Sequence, residues 1–204
     1  MLPAPADIEI TLECTLPELY NGCIKKVAYD REVLMHDGKT TRPRREELSV
    51  EVKPGFSEAT SLTYPSKGNE AEGHKPSRLV IKFAQVADAF YRRKGNDLIY
   101  THTITLEEAL QSQPVKIKAL DGRTIIVAID EVITPQSVKS VDGEGMPINS
   151  DPTSDAMNSL KGLSEIPRGN LFIRFDIQFP SKISTHHKQS IIDILRQNAE
   201  ENSL

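Results

Sequence analysis

The sequence contains no tryptophan, and only 5% of it is aromatic. Its core must therefore be built mainly from Ile, Val and Leu. Two cysteines, Cys14 and Cys23, are too few for a disulfide framework or a tetrahedral zinc site. A reducing, cytoplasmic setting is the expectation that follows. No uninterrupted apolar run is long enough to span a bilayer, and no signal-peptide pattern is present, so no membrane partner is expected. A net charge of −4 argues against a general nucleic-acid binder. No Gly-rich phosphate loop occurs: "GEG" at 143–145 lacks the following Lys-Ser/Thr and the strand-to-helix setting. The five histidines are scattered, and His186 and His187 adjoin at a helix start, a poor arrangement for one metal. Cys23 has no His or Asp tied to it by any motif. Glu107 and Glu108 suit a helix dipole better than acid/base work. The expectation is a protein without catalytic residues, metal or cofactor.

What is present is a series of alternating or apolar runs bounded by turn signals. They are "DIEITLEC" (7–14), "ELSVEV" (47–52), "TSLTYP" (60–65), "RLVIKF" (78–83), "DLIYTHTI" (97–104), "TIIVAI" (124–129) and "NLFIRFDIQF" (170–179). "HDGK" (36–39) and "LDGR" (120–123) read as hairpin turns. Short helices are expected at 15–22 and 105–112, with Thr15 and Thr105 as N-caps. The fold class is mainly β. The two halves also repeat. In each, a strand runs into Thr-Leu-x-Glu, then a helical turn, a lysine-bearing strand, Asp-Gly-Lys or Asp-Gly-Arg, and another strand. Such a repeat predicts two similar β-domains in tandem, at 7–88 and 89–181, followed by a helix at 182–201. The segments 65–77 and 148–169 read as loops, the latter long and polar. The opening "LPAPAD" resembles a linker, so a piece of a longer protein is expected.

The final helix carries an apolar stripe of Ile191, Ile194 and Leu195. Two readings stand: it packs on its own domain, or it meets a second subunit. "CIKKVAY" (23–29) poses a second question. In a strand, Lys25 shares a face with Cys23, Val27 and Tyr29, while Lys26 points the other way. If the strands are neighbours, Ile10, Leu12, Val27, Tyr29 and the apolar residues of "RLVIKF" line one groove. Lys25 then sits at its rim, and Arg42, Arg44 and Arg45 supply further positive charge nearby. Such a groove suits an extended, acidic peptide that adds its backbone to a sheet edge. Equally, the apolar residues are ordinary core and the cations a solvated edge that blocks aggregation.

Together and in order, the stretches "TLPELYNGCIKKVAYDRE", "VEVKPGFSEATSLTYPSKGN", "FYRRKGNDLIYTHTITLEEAL", "LDGRTIIV", "GEGMP" and "GNLFIRFDIQFP" resemble the C-terminal region of DnaJ-type (J-domain) co-chaperones. The resemblance is to the class without the cysteine-rich zinc module, since no repeated Cys-x-x-Cys-x-Gly-x-Gly is present. The His-Pro-Asp motif of a J-domain and a Gly/Phe-rich linker are also absent. The resemblance implies two β-sandwich-like domains and a C-terminal dimerisation helix, hence a homodimer. It implies that the first domain binds unfolded client proteins and the acidic Glu-Glu-Val-Asp C-terminal tail of a DnaK-type heat-shock chaperone. The family's pocket positions fall on Ile10, Leu12, Val27, Tyr29 and Ile81, and its carboxylate-binding cations on Lys25 and Arg45. Val27 stands where many members carry a larger side chain, and Arg45 where some carry Lys. A dimeric scaffold that holds a fixed protein partner in a larger assembly is the alternative.

Overall fold

A computed structural model describes residues 4–148 and 166–201. The polar segment expected at 148–169 lies, apart from its ends, outside the described residues. In chain order the elements are β1 (Ile8–Cys14), α1 (Leu16–Asn21), β2 (Cys23–Leu34), β3 (Thr41–Val52), β4 (Ser61–Tyr64), β5 (Leu79–Gln85) and β6 (Tyr91–Lys94). They continue with β7 (Asp97–Thr105), α2 (Leu106–Gln111), β8 (Val115–Lys118), β9 (Thr124–Val127), β10 (Val138–Val141), β11 (Leu171–Gln178) and a last helix, α3 (Thr185–Glu201). The structure is mainly β, with several sheets and short helices.

β1 forms because Ile8, Ile10 and Leu12 alternate with Glu9, Thr11 and Glu13, so one face can be buried. It pairs in parallel with β5, from Ile8↔Leu79 to Cys14↔Gln85. β4 adds antiparallel to the other side of β5, giving the order β1-β5-β4. β2 and β3 form a separate long antiparallel hairpin, from Cys23↔Val52 to Leu34↔Thr41. Pro43 sits inside β3 without breaking it. Its partner Glu32 turns its own N–H and C=O away from β3, toward Asn69 and Glu70, so no donor is needed at Pro43. The inner face of the sheet, the inner face of the hairpin and one side of α1 share a core that includes Leu16, Leu19, Val27, Val50, Leu79 and Ile81.

Thr15 begins α1 with a reciprocal cap. Its Oγ1 accepts from the Glu18 N–H, and its own N–H donates to Glu18 Oε2 at 2.8 Å. Gly22 ends the helix at φ 78°, where a Cβ would meet Val52 O and Pro54 Cδ at 3.0 Å.

The second half repeats this plan. β7 runs parallel to β11 and β10 antiparallel to it, as β1, β4 and β5 do. β8 and β9 form a shorter hairpin, and α2 carries the same cap through Thr105 and Glu108. There is one topological difference. β6 pairs antiparallel with the outer edge of β7, giving β10-β11-β7-β6. β6 also binds the halves together: the Arg93 guanidinium donates to Phe56 O at 2.6 Å and Gly55 O at 2.9 Å. Asn21 at the end of α1 reaches Leu120 O, and the Arg168 guanidinium lies 5.0 Å from the centroid of the Tyr20 ring.

Arg93→Ala leaves three carbonyls, those of Gly55, Phe56 and Gly95, without their charged donor and is expected to lower stability by about 1–3 kcal/mol. Arg93→Lys should recover only part of this, because one ammonium does not reproduce a planar fork. Urea unfolding measures both, and an unchanged midpoint for Arg93→Ala would show that the tie contributes nothing.

Candidate functional site

The feature that sets the first half apart is an unpaired strand edge. Within β1, the Ile8 N–H donates to Arg78 O and Cys14 O accepts from the Val86 N–H. Even-numbered residues therefore turn their backbone groups toward β5. The backbone groups of Glu9, Thr11 and Glu13 turn the opposite way, where no described strand pairs with them. β2 has a matching free stretch. Glu32 and Leu34 meet the loop at 69–70, through the Asn69 and Glu70 side chains and the Glu70 N–H. By alternation, Ile24, Lys26, Ala28 and Asp30 also present backbone groups away from β3, and β1 and β2 form no ladder with each other. The Lys25 ammonium reaches β1 and donates to Glu13 O at 2.7 Å. An edge with free N–H and C=O groups can accept an added strand. In the second half, β6 closes the equivalent edge.

The side chains behind this edge follow the sequence pattern, but they sit deeper than a groove surface. Ile10 and Leu12 are half-buried and pack against the core. Val27 is 7% exposed, Tyr29 6% and Ile81 0%. Ile81 is the register partner of Ile10, beside it on the same face of the sheet. The Tyr29 hydroxyl donates to Lys67 O at 3.1 Å and lies 3.4 Å from Glu46 Oε2. Burial, joined by the Glu46 carboxylate, pushes its phenol up. In the unliganded chain Val27, Tyr29 and Ile81 are core, while Ile10 and Leu12 are the more accessible apolar side chains.

Of the two expected cations, only Lys25 faces this region. Its register partner is Val50, on the buried side of the hairpin. Arg45 pairs with Asp30 on the opposite face, with Lys26 and Glu47, and is exposed. The structure does not bring Arg45 to Lys25. Sequence reading missed three acids that hold cations here. Glu18 Oε2 lies 2.8 Å from Lys25 Nζ. The Lys25 ammonium pulls the Glu18 carboxyl below its usual range, against the opposing effect of burial. Six strand positions further on, Arg31 shares the face of Lys25, Val27 and Tyr29 and pairs with Glu46 at 2.9 Å and Glu70 at 3.1 Å. Glu18 was visible in the sequence only as a capping residue. Nothing in the spacing linked Glu70 to Arg31.

The α3 stripe is exposed in the described chain. Ile191 is 43% exposed, Ile194 64% and Leu195 59%. Ser184 caps the helix, its Oγ accepting from the His187 N–H. No cluster of His, Cys, Asp or Glu suited to a metal occurs among the described residues, and no described helix is long and apolar enough to cross a membrane.

A family model, the DnaJ C terminal domain, matches residues 8–180. Human DnaJ homolog subfamily B member 13 is 32% identical over 184 residues, covering 90% of this chain and 54% of that protein. Human DnaJ homolog subfamily B member 5 is 32% identical over 187 residues, covering 92% of the chain and 49% of that protein. DnaJ protein homolog 1 of Drosophila melanogaster is 30% identical over 191 residues, covering 92% and 52%. The chain thus spans about half the length of these relatives.

The depth of Tyr29 generates a prediction. Tyr29→Ala should lower stability by about 3–5 kcal/mol, as large aromatic truncations in cores do. Tyr29→Phe, which removes only the hydroxyl, should lower it by about 0.5–1.5 kcal/mol. Chemical denaturation of both variants reads the difference. A Tyr29→Ala variant as stable as the parent would place the ring outside the core.

Proposed function

The chain belongs to the DnaJ C-terminal domain family, and on that premise we propose that its first half receives extended polypeptide segments along the free edge of β1. The DnaJ C-terminal domain is a non-catalytic substrate-binding module of co-chaperones, and this chain is of the kind without the cysteine-rich zinc module. The proposed substrates are unfolded client segments and the acidic Glu-Glu-Val-Asp tail of a DnaK-type chaperone. The observation that carries the reading is the open β1 edge, with Ile10 and Leu12 half-buried along it and the Lys25 ammonium at its end. Backbone bonds to Glu9, Thr11 and Glu13 supply affinity for any extended chain. Apolar contact with Ile10 and Leu12 selects for aliphatic side chains, and Lys25 favours a carboxylate. Val27, Tyr29 and Ile81 form the floor beneath. Arg45, on the other hairpin face, is proposed only as a source of general positive potential.

The proposal extends to a homodimer joined through α3. An isolated helix with an uncovered apolar stripe gains little from water, and a second copy presents the same stripe. The proposed units are 7–88 for peptide binding, 89–181 for the second β-domain, and 182–201 for dimerisation.

Titration with a peptide ending in Glu-Glu-Val-Asp tests the first part. Lys25→Ala should weaken binding about tenfold, the equivalent of about 1.4 kcal/mol. Lys26→Ala should change little, because it faces outward. Raised salt should weaken the parent more than Lys25→Ala. Equal losses for both lysine variants would overturn the assigned face, and no loss for either would remove Lys25 from binding.

Truncation after Ser181 tests the second part. Sedimentation should show a dimer for the intact chain and a folded monomer for the truncated one. An unchanged dimer after truncation would overturn the role of α3.

A further inference from the structure

The Lys25 ammonium is already occupied. It donates to Glu13 O at 2.7 Å and lies 2.8 Å from Glu18 Oε2, with side-chain exposures of 25% for Lys25 and 32% for Glu18. We propose that Glu18 is a built-in competitor: it holds, in the unliganded chain, the contact that an incoming carboxylate would make, and so sets how acidic a segment must be to bind. This inference rests on the peptide-binding reading above and deepens it.

The repeat supplies the argument. Glu18 and Glu108 occupy the same place in the two caps, and each accepts from its threonine N–H at 2.8 Å. Glu108 does this with no lysine opposite. The position matching Lys25, counted from the two caps, is Val115, which is buried. Capping therefore does not require the ion pair, and the ion pair is an addition confined to the half whose strand edge is open. Because Glu18 still has the Thr15 N–H when Lys25 leaves, displacement does not strand its carboxylate.

Selectivity follows from the exchange. A lone carboxylate replaces one ion pair by another and gains little. A ligand wins only by adding contacts, either backbone bonds along β1 or a second acid. Glu18 thus discriminates between scattered acidic groups and an extended segment with an acidic end.

The test is calorimetric titration of the intact chain with two peptides, one ending in Glu-Glu-Val-Asp and one ending in the amidated Gln-Gln-Val-Asn. Glu18→Gln keeps a side chain able to cap while removing the charge. It should bind the acidic peptide about fivefold tighter than the parent, and the neutral peptide equally well. Glu108→Gln should match the parent with both. In a Lys25→Gln background, Glu18→Gln should leave the acidic peptide's affinity unchanged. An equal gain there would mean that Glu18 merely repels the peptide at a distance, and would overturn the proposal. So would Glu18→Gln binding no tighter than a parent that does bind, in which case the peptide-binding reading survives. Binding by neither parent nor Glu18→Gln overturns both. Binding by Glu18→Gln alone supports strong competition. Should Glu18→Gln unfold, Glu18→Asp, which keeps the first-turn acid but shortens its reach, is expected to show a gain of the same sign, and none overturns the proposal.

Discussion

The parallel ladder between β1 and β5 is the constraint on which the first half depends. It joins residues near the start of the chain to residues about 70 positions later, so everything between must fold as one excursion. The ladder fixes three things at once. It turns Ile8, Ile10 and Leu12 toward the core and Glu9, Thr11 and Glu13 outward. It directs the even-numbered backbone groups into the sheet and leaves the odd ones free. It also sets β1 at an edge, because β4 takes the other side of β5. A slip of one residue would reverse the first two, exposing the apolar set and burying the acids. The contacts Arg78–Asp7, at 2.7 Å, and Lys82–Glu9, at 2.6 Å, join neighbouring positions across this ladder on its solvent side.

Duplication gives the molecule an internal comparison. The sheets β1-β5-β4 and β7-β11-β10 have the same strand directions, and both short helices carry the same reciprocal cap. What differs is local and concerns the same place. β6 pairs with one edge, no described strand pairs with the other, and a valine stands where a lysine would be. A long hairpin in one half is also reduced to two four-residue strands in the other. Scaffold and site are thus separable: the shared plan makes the two sheets, and the departures from it make one edge available.

Much of this was legible in the sequence. The strands with clean alternation, the two Asp-Gly turns and the two threonine caps were all readable, because each rests on local chemistry. The strand β6 was not, since "YRRK" offers three cations and one aromatic, and it is held by pairing with β7 and by Arg93 rather than by any period of its own. The outer half of β3 was expected as the strand after the "HDGK" turn, and its tolerance of Pro43 depends on the direction in which Glu32 points. For the site, the face of Lys25 followed from alternation alone. The separation of Arg45 from it was also legible, because alternation with the buried Val50 and Val52 puts Arg45 on the opposite face of β3, as the register Asp30↔Arg45 bears out. The depth of Tyr29 and the clasp of Glu18 depend on how the hairpin, α1 and the sheet close on each other, and that is tertiary information.

An open strand edge is also a hazard, since identical edges tend to find one another and grow into fibrils. Here the seven-residue β1 carries Glu9 and Glu13 on its outward face. Two copies meeting edge to edge would set acid against acid, and the Lys25 ammonium already occupies one of the few acceptors that such a contact would need. The same seven residues that offer free backbone groups therefore also carry the charge that opposes homotypic, edge-to-edge growth.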